Sequence, residues 1–162
     1  MMIRLSKIVL VAAVSFYCLL TAFGNITDYA SNLPAVEKAL SMTDVFPGSK
    51  ITYRAITNPE LQHAAYIGII SMETLTTLLC ALGAWKLFRA RKKEASVFNQ
   101  AKSMSVAGLT LGFLTWQVLF MSIGGEWFGM WMSPMLNNAI TTAFHIFIMI
   151  LSVLIYLVIK DE

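Results

Sequence analysis

Apolar residues in this chain gather in four long blocks separated by polar stretches, with neither strand-like alternation nor a narrow amphipathic stripe. The blocks run from about Ile8 to Ile26, Ala64 to Leu87, Met104 to Ile123 and Leu136 to Ile159. Each reaches the roughly 20 residues that a helix needs to cross about 30 Å of hydrocarbon. Backbone polar groups cannot stay unpaired in lipid, so a helix is the default for each block. A membrane β-barrel needs short alternating segments, which are absent. The pattern predicts an all-α polytopic membrane protein, a left-handed four-transmembrane-helix bundle forming a single domain. The first block has a basic start and a weak small-x-small site at Ala22–Gly24, as cleavable signals do. Its apolar stretch is longer than the usual signal core, so retention as a span is the expectation.

The connections differ sharply in character. Residues 27–61 form a long loop, far beyond a minimal helix hairpin. Leu33-Pro34 before AVEKAL predicts a short helix with Pro34 in its first turn. Asn58-Pro59-Glu60 predicts the start of the second span. The loop reads as a folded extracytoplasmic cap between helices 1 and 2, either covering helix ends or docking a partner. Residues 88–103 form a basic turn containing Arg89, Arg91, Lys92 and Lys93. Nine lysines and arginines fall on the side of this turn and the two termini, and three on the other. That asymmetry predicts cytoplasmic N- and C-termini. The basic run is a topology signal and is also suited to anionic lipid headgroups. Trp127 and Trp131 are expected at the outer interface with Glu126, for which Arg54 is a candidate partner.

Composition agrees. Of 162 residues, 57% are hydrophobic and 13% charged, about half the charge of a soluble domain. The net charge of +3 sits beside apolar blocks, favouring a membrane surface over nucleic acid. Cys18 and Cys80 both lie in apolar blocks and read as buried small hydrophobes. The chain carries no Walker motif, GxSxG, HExxH or nucleotide-binding glycine fingerprint.

Three polar residues interrupt the spans. Glu73 and His145 lie roughly 14–17 Å below the outer helix ends, and Gln117 roughly 12 Å below. Shared depth predicts an intramembrane polar cluster of Glu73, Gln117 and His145, either a hydrogen-bonded packing device or a proton-linked or ligand site. His63, the other histidine, sits about 15 Å shallower than His145, which disfavours a bis-histidine haem within one chain. Gly108 and Gly112 form a GxxxG pair, and Ala64 and Gly68 a small-xxx-small pair. Both favour close helix packing, within the bundle or in a dimer.

The four-span layout, Glu73, the basic turn leading to Phe98-Asn99-Gln100-Ala101-Lys102, and Trp116-Gln117 to Gly125-Glu126-Trp127-Phe128-x-Met130-Trp131 carry a resemblance. Over essentially its full length the chain resembles a family of small bacterial proteins described as predicted integral membrane proteins of unknown function. The resemblance implies a bacterial inner membrane and supplies no catalytic residue. The expectation is a non-enzymatic subunit or scaffold without cofactor or metal. Its partners would be the lipid bilayer and a membrane protein or second copy of the chain. A proton-linked transporter and a quinone- or haem-associated subunit are the rivals.

Overall fold

The computed structural model describes residues 1–162, and all its regular structure is helical. Helix α1 spans Met2–Thr27, α2 Tyr29–Ser41, α3 Pro59–Ala90, α4 Ala95–Ala101, α5 Ser103–Leu114 and α6 Asn137–Val158. A π-helical segment, Thr115–Trp127, prolongs α5, and short 3-10 turns occupy Thr52–Arg54 and Met130–Met132. Four rods are long and apolar enough to cross a membrane: α1, α3, the α4–α5–π run Ala95–Trp127, and α6.

The inward faces follow helical spacing. On α1 the buried row is Lys7, Val11, Val14, Cys18 and Ala22; on α6 it is Ala143, Ile146, Ile150, Val153 and Leu157. The outward faces are equally apolar: Phe16, Phe23, Leu78, Leu82 and Ile155 each leave about half or more of their surface uncovered. A water-soluble monomer does not tolerate apolar exposure on this scale. In hydrocarbon it costs nothing, so the exterior itself identifies the solvent as lipid.

Close approach of α3 and α5 sets the bundle's centre. Gly83 lies against Ser105, Gly108 against Leu79 and Cys80, and Gly112 against Thr76 and Ile150. A Cβ on Gly108 would sit 2.9 Å from Cys80 N and 2.9 Å from Leu79 Cβ. The GxxxG pair is therefore spent inside the bundle. Ala64 and Gly68 lie exposed on the outer face of α3, and nothing comes within 4 Å of a Cβ built on Gly68.

Both termini and the 88–103 turn share one end. Arg4 Nη1 donates to the carbonyls of Lys93 (2.7 Å) and Arg91 (3.3 Å), tying the start of α1 to the α3–α4 turn. The opposite end carries the 27–61 connection. There Asn58 caps α3, its Oδ1 accepting from Glu60 N at 2.8 Å and Leu61 N at 3.4 Å, with Pro59 following. This satisfies two of the donors that a helix start leaves free. Helix α2 departs from the sequence expectation: it begins at Tyr29, and Pro34 lies inside it. The chain breaks from α1 only at Asp28, whose carbonyl accepts from Ser31 N and Asn32 Nδ2. The first turn thus forms ahead of the proline, and Pro34 withholds only the N–H that would have reached the Ala30 carbonyl.

Candidate functional site

Glu73 is 1% exposed in the middle of α3. Its partner is not the expected one. Asn25 Nδ2, from α1, donates to Glu73 Oε2 at 2.8 Å. Tyr66, two turns toward the cap, donates to Asn25 Oδ1 at 3.2 Å. The Tyr66 ring meets that of Tyr29 at 4.6 Å, and Tyr29 in turn hydrogen-bonds His63 Nδ1 at 2.8 Å and stacks on its ring. A polar line therefore runs between α1 and α3 from the buried carboxyl toward the cap.

This corrects the predicted cluster. His145 lies exposed on the outer side of α6, edge-on to Phe144, and Gln117 is half-buried; neither hydrogen-bonds Glu73. Equal depth placed the three in one layer, but the direction in which each side chain leaves its helix separates them. The buried row of α6, Ala143 to Leu157, excludes position 145 by helical spacing. Asn25 was visible in the sequence as an amide inside an apolar block, and Tyr66 stands two turns before Glu73.

At the cap end, Glu126 is exposed and makes no ion pair, and Arg54 reaches its neighbour instead. Arg54 Nη1 donates to the Trp127 carbonyl at 3.2 Å, and its guanidinium lies 4.4 Å from the Trp127 ring centroid. Trp131 meets Phe46 edge-on at 5.6 Å. Ser133 joins α6 to the cap: its hydroxyl donates to Asp44 and accepts from Leu136 N. The preceding chain turns at Gly129, whose φ of +68° suits a residue without a Cβ.

The end bearing the termini is richest in charge. Between the last turns of α3 and the short α4 lies a cleft of about 600 Å³, lined by Trp85, Lys86, Arg89, Lys93, Gln100 and Ser103. Arg89 lies 5.6 Å from the Trp85 ring centroid, and both side chains are exposed. Arg91 folds back over Phe88 and donates to its carbonyl at 2.7 Å, which turns it from the cleft, while Lys92 is exposed.

On the other side of α4 the C-terminal tail is stapled to the bundle. Lys7 Nζ and Lys102 Nζ each lie 2.7 Å from Asp161 Oδ2, and each also donates to the Ile159 carbonyl at 2.7 Å. Asn99 completes the staple, donating to the Asp161 carbonyl at 2.9 Å and accepting from its N–H at 3.1 Å. Burial pushes the Asp161 carboxyl up, but hydrogen bonds from Lys102 and Lys7 outweigh it and hold the group below its ordinary range. In the sequence Lys7 and Lys102 counted only as topology charges; their pairing over 154 and 59 positions carries no local signal.

A lipid-facing exterior, four membrane-length helices and polar residues paired inside the bundle define a small integral membrane protein. A family model described as "Predicted small integral membrane protein (DUF2165)" matches residues 3–160. The chain belongs to that family, whose function is unknown. Among curated proteins and among solved structures, none matches it.

Proposed function

We propose that the protein is a non-enzymatic membrane protein that binds anionic phospholipid at its basic end, with both termini in the cytoplasm of a bacterial cell. The cleft beside α4 carries this reading. It sets Lys86, Arg89 and Lys93 around an opening beside Trp85, an aromatic residue of the kind that favours the headgroup level. Gln100 and Ser103 add neutral donors, and apolar Leu78 and Leu82 lie exposed further along α3, where an acyl chain would run. The lysine and arginine asymmetry supports the orientation, since the cytoplasmic leaflet is the anionic one.

Native mass spectrometry of the purified protein, offered equal phosphatidylglycerol and phosphatidylcholine in detergent, tests the reading. The expected result is selective retention of phosphatidylglycerol. Replacing Lys86, Arg89 and Lys93 together by Gln should reduce that retention roughly a hundredfold, at about 1 kcal/mol per cation near an anionic surface. Equal retention of both lipids refutes the proposal.

One observation favours a second reading, proton-linked transport: Glu73 is buried at mid-span and joined through Asn25 and Tyr66 to the cap side. Proteoliposomes loaded with a pH dye would then show proton flux that Glu73→Gln abolishes while helical content is retained. Identical flux in the two proteins rejects it.

A further inference from the structure

We infer that Arg4, Lys7 and Lys102 form a second anion site, of phosphate class, whose resident occupant is the protein's own Asp161. The site is distinct from the cleft: α4 stands between them, with Gln100 and Ala101 lining the cleft and Asn99 and Lys102 holding the tail.

The argument begins with charge. Three cations converge on one carboxylate, leaving the cluster positive. Lys7 is 1% exposed and Lys102 5% exposed, and burying excess charge of one sign is costly unless counter-charge is supplied. Geometry makes the mismatch specific. Both ammonium groups crowd onto Oδ2, and each completes its coordination with the same backbone carbonyl. Oδ1 is left 3.9 Å from Arg4 Nε, beyond hydrogen-bond length. Arg4 spends its Nη1 on the carbonyls of the α3–α4 turn. Two oxygens in one plane do not serve three cations arriving from α1 and the α4–α5 junction. Inorganic phosphate or a phosphate monoester offers three or more terminal oxygens around a tetrahedral centre and up to twice the charge, so it matches the donors better than the carboxylate does.

The occupant also lies outside the helices. The residues after α6, 159–162, have no regular structure, and Ile159 and Lys160 are exposed. Apart from the lysine bonds, only Asn99 grips Asp161. With this segment in place the lysines are closed off; lifting the stretch after α6 opens them beside Phe98, over whose ring Arg4 sits at 4.8 Å. The tail thus works as a strap over a phosphate site. Either the monoester headgroup of phosphatidic acid or free phosphate supplies the required chemistry.

The test compares the whole chain with Asp161→Asn, which removes the competing charge and keeps the backbone bonds to Asn99. Phosphatidic acid retention by native mass spectrometry and inorganic phosphate binding by calorimetry are read in both. Asp161→Asn should bind the anion about tenfold more tightly, the equivalent of one charge-assisted bond freed for the ligand. Adding Lys7→Gln or Lys102→Gln should remove the gain, whereas Lys86→Gln and Arg89→Gln should leave it intact. The last contrast separates failure of this site from failure of the cleft. A gain with phosphatidic acid alone assigns the site to a headgroup; a gain with inorganic phosphate as well assigns it to free phosphate.

A second measurement leaves the cluster unaltered. A spin label on Glu162→Cys, with Cys18 and Cys80 buried, should become mobile when phosphatidic acid is added and stay immobile with phosphatidylcholine. No gain in Asp161→Asn together with an unmoved label overturns the inference. So does a gain that survives both lysine substitutions.

Discussion

Substituting alanine at Gly108, Gly83 and Gly68 separates a bundle packed through α3 and α5 from any other arrangement of the same four rods. At Gly108 the new Cβ would meet Cys80 N and Leu79 Cβ at 2.9 Å; at Gly83 it would meet Ser105 N at 2.6 Å and Ser105 Cα at 2.8 Å. Carbon contacts are comfortable at about 3.5–4.0 Å, and these neighbours are backbone or the first atom of a side chain. Neither can swing aside, so the helices must part by roughly 0.6–1 Å, a gap that forfeits a quarter to a half of each contact's attraction. Overpacking of this kind costs about 1–3 kcal/mol, against which alanine's helix propensity returns up to about 1 kcal/mol. Each variant should therefore lose roughly 1–2 kcal/mol. Gly68→Ala meets nothing within 4 Å and should be neutral or up to about 1 kcal/mol more stable. Unfolding by dodecyl sulfate in mixed micelles, followed by circular dichroism and tryptophan fluorescence, reads all three. Equal midpoints for Gly108→Ala and Gly68→Ala would show that α5 does not press on α3 as described.

Thr76 has its Oγ1 buried without a hydrogen-bond partner, so Thr76→Val should stabilise the bundle by about 1 kcal/mol in the same assay; a loss of stability refutes it. Asn58→Ala removes two bonds to the start of α3 and should cost about 1 kcal/mol, with hydrogen exchange rising first at Glu60 and Leu61. The Asp161 staple has a defined pH sense. A carboxyl held below its ordinary value contributes stability that is fully present above the unfolded-state value of about 3.9 and is lost as pH falls through the lower folded-state value. A label at the C-terminus should therefore stay ordered at neutral pH and loosen only under strong acid, with no such transition in Asp161→Asn. Loosening already at mildly acidic pH contradicts the assignment.

The spans were legible because lipid asks for length and apolarity, both of which a sequence displays directly. The start of α3 was legible at Asn58-Pro59-Glu60 because capping is chemistry between neighbours. The Glu73 site was legible in part. A carboxyl at that depth announces itself, but its partner depends on the rotation of each helix about its own axis, which residue counting leaves open. The inward face of α6 points Ala143 and Ile146 at the core and turns His145 away. The tail staple was not legible: Lys7, Asn99, Lys102 and Asp161 come from three parts of the chain, and only the closed bundle brings them together. Nor did Thr115–Trp127 signal its wide π turns, whose residues are ordinary for an apolar helix.

The central claim is a four-span bundle whose basic turn and termini share one face of the membrane and whose long connection lies on the other. Single cysteines at Lys92 and at Ser49, each in a chain with Cys18 and Cys80 replaced by Ser, test it with a membrane-impermeant maleimide on intact cells. The account expects Ser49→Cys to label at once and Lys92→Cys only after the membrane is opened. Labelling of both from outside, or of Lys92→Cys alone, would contradict it.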